Sequence, residues 1–446
     1  MSAHIINPNY VTGYSTFARA SIGTYFDRSR VLQTAGSDVQ RVNWNPLTGE
    51  FEGVLVEPAR TNYLLQTNVS AYRLTLAQTV RFGAGYLTAS VPYTLSFYGT
   101  GTVTLSGVAG TTVVGTGTWV RTTITITPGS GTLTFTPSGD VFFAQFEQGS
   151  YPTSWIPTTS ATVTRAADVL GPAGMFQTSF PQPHPYYNAG TTYNDGDVVA
   201  VATRLYESLV GSNLGNNPPT NSVKGDPAAK WLDIGPTNLF ACVDQTVSQA
   251  SSGPGPLQTF ALKLQGPANV VGLAGVEGTR LHIAFNDLQG NIYTKSKTGS
   301  TIMSAAVLVA HPGGTIVSVC VENSAGDVRI GECLAGAYER IGDTEYGHSF
   351  SITDYSRKDT DEFGVTTFVE RPFAKRMSCS VIVKKADYNR VINLFELIRA
   401  KPTIYVATED PDYSAGAIVY GNYADFSLEI SYPTENLCAL EVQGLT

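Results

Sequence analysis

Charge is scarce in this sequence. Of 446 residues only 14% are Asp, Glu, Lys or Arg, against about a quarter in ordinary globular chains. The acids outnumber the bases 36 to 28, for a net charge of −8. Such a surface does not neutralise phosphates and is not drawn to anionic lipid, so neither nucleic acid nor a membrane surface is an expected partner. No run of about 18 apolar residues occurs, so no membrane span is expected. The opening MSAHIINPNY lacks the basic start and apolar stretch of a secretion signal. Cysteine is also sparse: Cys242, Cys320, Cys333, Cys379 and Cys438 are odd in number, far apart and without a C-x-x-C pair. A disulfide framework or zinc site is therefore not expected. Apolar neighbours, as in SVCVEN and ENLCALEV, predict buried reduced thiols and fit a reducing compartment. The five histidines are scattered, and no G-x-S-x-G, H-E-x-x-H or P-loop motif occurs. The expectation is a protein that is not an enzyme, with no catalytic residue, no resident metal and no cofactor.

What the chain does have is Gly (44), Pro (24), Tyr (23), Phe (20) and threonine-rich stretches. Thr, Tyr, Phe and Val suit pleated strands, and Gly and Pro suit the turns between them. The fold class is therefore mostly β, and the length allows about two to four domains. Strand-like runs at 93–98, 102–106, 119–127, 131–136 and 141–147 recur at sandwich spacing. In WVRTTITIT, Val120, Thr122, Ile124 and Ile126 share one face, the period-two mark of a half-buried strand. Residues 1–170 are thus expected to form a first β-sandwich. Residues 171–190 read as a proline-rich linker, and 191–235 as a small aromatic module. Residues 236–345 read as a second sandwich, with strands at 259–264, 270–273, 280–285, 291–295 and 315–322. Residues 346–446 read as an α+β domain, with one helix over 386–400. There Val391, Leu394, Phe395 and Ile398 recur at helical spacing. Asp387 is a plausible N-cap or first-turn acid, and Pro402 follows the end.

Several blocks resemble known families. FARASIGTYFDRSRVLQTAG (17–36), FEGVLVEPARTNYLLQ (51–66) and FFAQFEQGSYPTSWIPTTSATVTRAAD (142–168) resemble a domain found in phage and prophage virion proteins. The resemblance implies a lectin-like or jelly-roll sandwich. GDVVAVATRLYESLVGSNLGNNPP (196–219), KWLDIGPTNLFACVD (230–244), the stretch 346–378 and CALEVQGLT (438–446) resemble tail-tip or baseplate proteins of long-tailed phages. Leu239 stands where those relatives more often carry an arginine. The resemblance implies a structural virion component, assembled in the host cytoplasm. Its implied partners are other tail or baseplate proteins and further copies of itself, with a bacterial surface glycan as a possible ligand. A charge-poor, aromatic-rich chain also has the composition of interface cores.

Within 193–231, Tyr193, Gly196, Asp197, Val198, Tyr206, Asn213, Gly215, Pro218 and Trp231 carry a skeleton similar to small chitin-binding modules. A sugar's apolar face stacks on an exposed aromatic ring while polar neighbours hold its hydroxyls. This gives Tyr193, Tyr206 and Trp231 as candidate carbohydrate-binding residues. The pattern departs at Thr203-Arg204 and at Glu207-Ser208-Leu209, where a glycine and tandem tryptophans are usual. The alternative is that Tyr206 and Trp231 are core aromatics of a tiny domain. A second candidate is the first sandwich itself, with Trp44, Trp119 and Trp155 lining a sugar site or packing as core. Acid clusters at 359–362 (DTDE) and at Glu409, Asp410 and Asp412 read as solvated loops. Carboxylate pairs of a depolymerase and a calcium loop are the weaker alternatives, since Phe363 takes a ligand position of an EF-hand count from Asp359.

Overall fold

The computed structural model describes residues 1–66, 72–299, 302–360, 362–371 and 373–445. Asp361 and Thr446, which fall in the sequence blocks above, lie outside the described residues. The chain is mostly β, with 54% of residues in strands and 5% in helix, arranged in several sheets and a barrel. It divides into two compact units.

The first unit to complete itself comprises Thr16–Pro172 with Asn286–Thr294. A four-stranded sheet runs Thr111–Val114, Thr102–Gly107, Gly131–Ser138, Gln78–Phe82, and a three-stranded sheet runs Gly117–Ile126, Tyr93–Gly99, Phe142–Gln148. Leu95, Phe97, Leu105, Leu133, Phe135 and Phe146 fill the space they share. The period-two expectation is visible in Gly117–Ile126: Ile124 and Ile126 pack on this core while Thr123 and Thr125 face water. The central strand Tyr93–Gly99 is buried on both faces. Tyr93, Leu95 and Phe97 enter the core. Thr94, Ser96 and Tyr98 alternate with them and so point to the opposite face, which positions the site described below.

The second unit comprises Met1–Ser15, Ala173–Phe285 and Lys295–Thr446. Its main sheet has 13 strands. The ladder Leu257–Glu277, Ile302–Glu322 and Val328–Thr344 forms one half. From Val328–Thr344 the order continues through Ser2–Pro8, Thr403–Val406, Ile418–Glu429, Glu435–Gly444 and Phe373–Lys384. A further pairing, Asp343 with Ile382 and Thr344 with Val381, closes these six strands into a barrel. The helix Tyr388–Leu397 packs Val391, Leu394 and Phe395, followed by Ile398, among Ile5, Val381, Tyr405, Val419, Cys438 and Leu440. Phe395 stacks on Phe426 with centroids 3.9 Å apart. Asp387 stands at the helix N-cap position but makes no side-chain cap hydrogen bond. A 3-10 turn, Lys385–Asp387, leads into the helix, and Asp387 instead accepts from Arg390 Nε at 3.1 Å.

The unit boundaries differ from the expected ones at three places, each for a pairing reason. Ser2–Pro8 pairs with Val328–Thr344 and Thr403–Val406, so the N-terminal strand is not part of the first sandwich. Gly174–Thr178, inside the expected linker, pairs with Leu257–Glu277. The expected boundary at 345 falls within a single sheet, because Val328–Thr344 ladders on both sides of it. Strands read as separate at 259–264 and 270–273 are one strand, carried past Gly266-Pro267 by register shifts near Ala268. All five cysteines are buried and outside any disulfide, and burial pushes the Cys242 thiol up to about 12.

Candidate functional site

A cavity of about 400 Å³ opens on the face of the three-stranded sheet opposite its core, within the Thr16–Pro172 unit. Small-molecule sites usually occupy ~300–1,000 Å³. Two kinds of group line it. The aromatic wall includes Phe26, Tyr98, Trp119 and Trp155. Phe26 meets Trp119 edge-on at 6.1 Å, and Phe143 stacks on Trp119 at 6.4 Å and meets Trp155 at 5.1 Å. Trp119 is 42% exposed. Neighbouring rings fix its orientation and leave much of it open.

The polar wall is Asn43, Glu52 and Asn45. Asn43 Nδ2 donates to Glu52 Oε2 at 2.6 Å, and Asn45 Nδ2 donates to Oε1 at 2.9 Å. Asn43 Oδ1 accepts from the Phe26 N–H at 2.7 Å, and Asn45 Oδ1 accepts from the Leu47 and Thr48 N–H groups at 2.9 Å each. The amides are therefore oriented, and an amide nitrogen carries two hydrogens, so each keeps a donor beyond the one given to Glu52. Burial pushes the Glu52 carboxyl above its ordinary value; the amides of Asn45 and Asn43 oppose the shift without cancelling it. Arg121, on Gly117–Ile126, donates through Nη2 to Ser96 Oγ (2.9 Å) and Thr153 O (2.6 Å), with its guanidinium 5.9 Å from the Tyr98 ring centroid. Trp155 is buried, and its Nε1–H has no partner among the described residues.

Glu57 also lines the cavity, but its oxygens are occupied. Oε1 accepts from the Ser154 N–H at 2.6 Å; Oε2 accepts from Ser154 Oγ at 2.7 Å and lies 2.9 Å from Arg41 and 3.3 Å from Arg165. Burial alone would raise its pKa; Arg165, Arg41 and Ser154 outweigh it and hold the group at about 2. Asp168, fully buried, accepts from Arg19 Nη1 at 3.2 Å, Arg41 Nη2 at 2.6 Å and the Glu57 N–H at 2.8 Å. The residues ARAS, VEPAR and TRAAD that mark the first resemblance thus supply a buried ion network beneath the cavity wall.

The sequence-predicted sugar residues have different fates. Trp119 and Trp155 line the cavity; Trp44 is buried against Phe51, at 5.2 Å, and does not. Tyr193, Tyr206 and Trp231 are all buried and form the core of the small module with Val199. Trp231 is 1% exposed and its Nε1 donates to Asn216 O at 2.8 Å. Tyr193 meets it edge-on at 5.3 Å. These rings face each other and offer a sugar no open face. The rest of the module skeleton is turn chemistry. Gly196 and Gly215 adopt φ of +86° and +74°, where a side chain would be strained. Asp197 Oδ2 accepts from the Asn194 N–H at 2.6 Å. The reason is size: a segment of some 45 residues must bury its few large rings to fold. Asn43, Asn45, Glu52 and Arg121 were not legible as a site. No spacing rule joins them, although Asn43 and Glu52 lie on two paired strands, Val42–Trp44 and Phe51–Val54, and Asn45 directly follows the first. Among the described residues no group of three or more His, Cys, Asp or Glu is placed to hold a metal, and no helix is long and apolar enough to cross a membrane.

No known protein family and no curated protein matches this sequence. Among solved structures, the chain is similar to a GH78 family rhamnosidase of Bacillus sp. GL1. The identity is 9%, over 79% of this chain and 36% of that one, with a TM-score of 0.21. It is similar to an allantoicase at 10% identity, over 72% of this chain and 90% of that one, with a TM-score of 0.18. The chain spans about a third of the rhamnosidase's length. At these scores neither likeness carries an argument about this chain's fold or chemistry.

Proposed function

We propose that this protein is a structural component of a bacteriophage tail tip or baseplate, and that its first sandwich binds a carbohydrate of the bacterial surface. The observation that carries the binding half is the cleft in which half-open Trp119 faces the oriented Asn43–Glu52–Asn45 array. An indole offers the apolar face a pyranose stacks on, and fixed amides with a carboxyl offer both donors and acceptors to its hydroxyls. The virion half is supported by the sequence blocks across 17–168 and 196–446. Binding, rather than hydrolysis, fits the carboxyl groups: Glu57 has no oxygen to spare for a substrate, and Glu52 is engaged by two amides.

A glycan array followed by calorimetric titration tests the reading. Wild type is expected to bind a surface polysaccharide, and Trp119→Ala to weaken it at least about 30-fold, the ~2 kcal/mol scale of an anchoring tryptophan. Release of new reducing ends from that glycan would instead point to a depolymerase. Immunogold labelling at the tail end of purified particles is the expected result for the virion half; particles lacking the chain would overturn it.

A further inference from the structure

The cleft holds a charge that the fold does not pair. Arg121 is the only cationic side chain among the described residues that line it. Nη2 spends its hydrogens on Ser96 Oγ and Thr153 O, and Nε is enclosed without a partner. Nη1 is not enclosed, and it has no hydrogen-bond or ion-pair partner among the described residues. The two Nη2 bonds and the Tyr98 ring fix the guanidinium, so little side-chain freedom is left to lose when an anion binds.

The wall behind Glu57 has the same sign. Arg19, Arg41 and Arg165 share two carboxylates, Glu57 and Asp168, and leave one positive charge uncompensated within that buried network. The remaining acid of the cleft is Glu52, held by its two amides. With Arg121 and Glu52 counted, four guanidiniums stand against three carboxyls, and a cleft with low-dielectric walls focuses that excess. The unspent hydrogens agree with the charge. Asn43 and Asn45 each keep one on Nδ2, beside those on Arg121 Nη1. Among the amide and charged side chains of the cleft, free donors therefore outnumber free acceptors.

We propose that the glycan taken by this cleft is acidic: a hexuronate residue stacks on Trp119 while its carboxylate accepts from Arg121 Nη1. Asn43, Asn45 and Glu52 are left for its hydroxyls. This rests on the carbohydrate reading of the cleft and narrows it to one class of sugar, with Arg121 as the residue that selects it.

The test titrates the full-length protein with hexuronate-containing bacterial polysaccharides, each paired with its own carboxyl-reduced product. Carbodiimide activation and borohydride reduction turn each carboxylate into a primary alcohol and leave the rest of the sugar unchanged. Wild type is expected to bind the native form about tenfold to a hundredfold more tightly than the reduced form, the worth of a hydrogen bond to a charged group. Added salt should weaken binding of the native form and leave the reduced form unmoved. Arg121→Gln is expected to erase the difference between the two forms, and Arg121→Lys to restore part of it; Trp119→Ala should weaken both forms alike. Because Arg121 also ties Ser96 to Thr153, a thermal melt accompanies each variant, while the comparison of the two polymers on wild type needs no variant. Equal or tighter binding of the reduced form, or an Arg121→Gln variant that keeps the full preference, would overturn this assignment and leave the carbohydrate reading standing. Failure to bind either form of any of them would remove both.

Discussion

Asp168 shows how a buried charge can be read at the level of one residue. Its two oxygens receive Arg19, Arg41 and a backbone N–H, and Arg165 lies 3.5 Å away. Removing one partner of such a network strands the others without water. Asp168→Ala is therefore expected to lower the stability of its unit by about 3–5 kcal/mol, measured by denaturant unfolding. Asp168→Asn should recover only part of that, since it keeps an acceptor but not the charge. Arg19, Glu57, Arg165 and Asp168 all lie in the blocks that carry the first resemblance, with Arg19 and Asp168 near opposite ends, while Arg41 lies between two of them. Their convergence was not visible, because it spans 149 residues and depends on how the strands between are folded. Trp119 belongs to the same lesson in reverse. A tryptophan at a strand start reads as core, and only the structure shows that its neighbours hold it while leaving it open.

At the scale of elements, the helix is where sequence and structure agree most. Val391, Leu394, Phe395 and Ile398 predicted one buried stripe, and that stripe plugs the barrel. Phe395→Ala empties a site between Tyr423 and Phe426, with an expected cost of about 3–5 kcal/mol by thermal or chemical unfolding. The barrel itself could not be read ahead, because it seats Ser2–Pro8 between strands more than 300 residues later, and local periodicity carries no information about partners. The small module failed in a different way. The spacing of its aromatics was legible, yet spacing alone does not say whether an aromatic faces water or its neighbours. Trp231→Ala is accordingly expected to unfold the module rather than to remove a sugar contact. Its checkable sign is loss of near-ultraviolet signal together with protease sensitivity between residues 186 and 236.

At the scale of the whole molecule, buried carboxyls are expected to contribute to acid stability in opposite senses. In the first sandwich, Glu57 is held at about 2 against an ordinary 4.5. A depressed carboxyl stabilises the fold above its unfolded pKa, so this contribution is intact above about pH 4.5 and is lost as pH falls toward 2. In the other unit, burial raises Asp244 to about 6 from 3.8, and burial followed by the charge of Asp244 raises Glu332. A raised carboxyl favours the fold below its unfolded pKa, and that benefit is lost as pH rises through the folded value. Calorimetry from pH 8 to 5 should therefore move the transition of the barrel unit upward, while the Glu57 contribution to the sandwich is lost only below about pH 4.5. Asp244→Asn should remove part of the rise and stabilise the protein at pH 8 by about 1 kcal/mol, allowing for its partial exposure. The most direct test of the account is the cleft itself. Titration of the surface glycan selected by an array into wild type and Trp119→Ala is predicted to show binding that drops at least about 30-fold in a variant that remains folded. No glycan bound by wild type, or equal affinity in the two proteins, would contradict it.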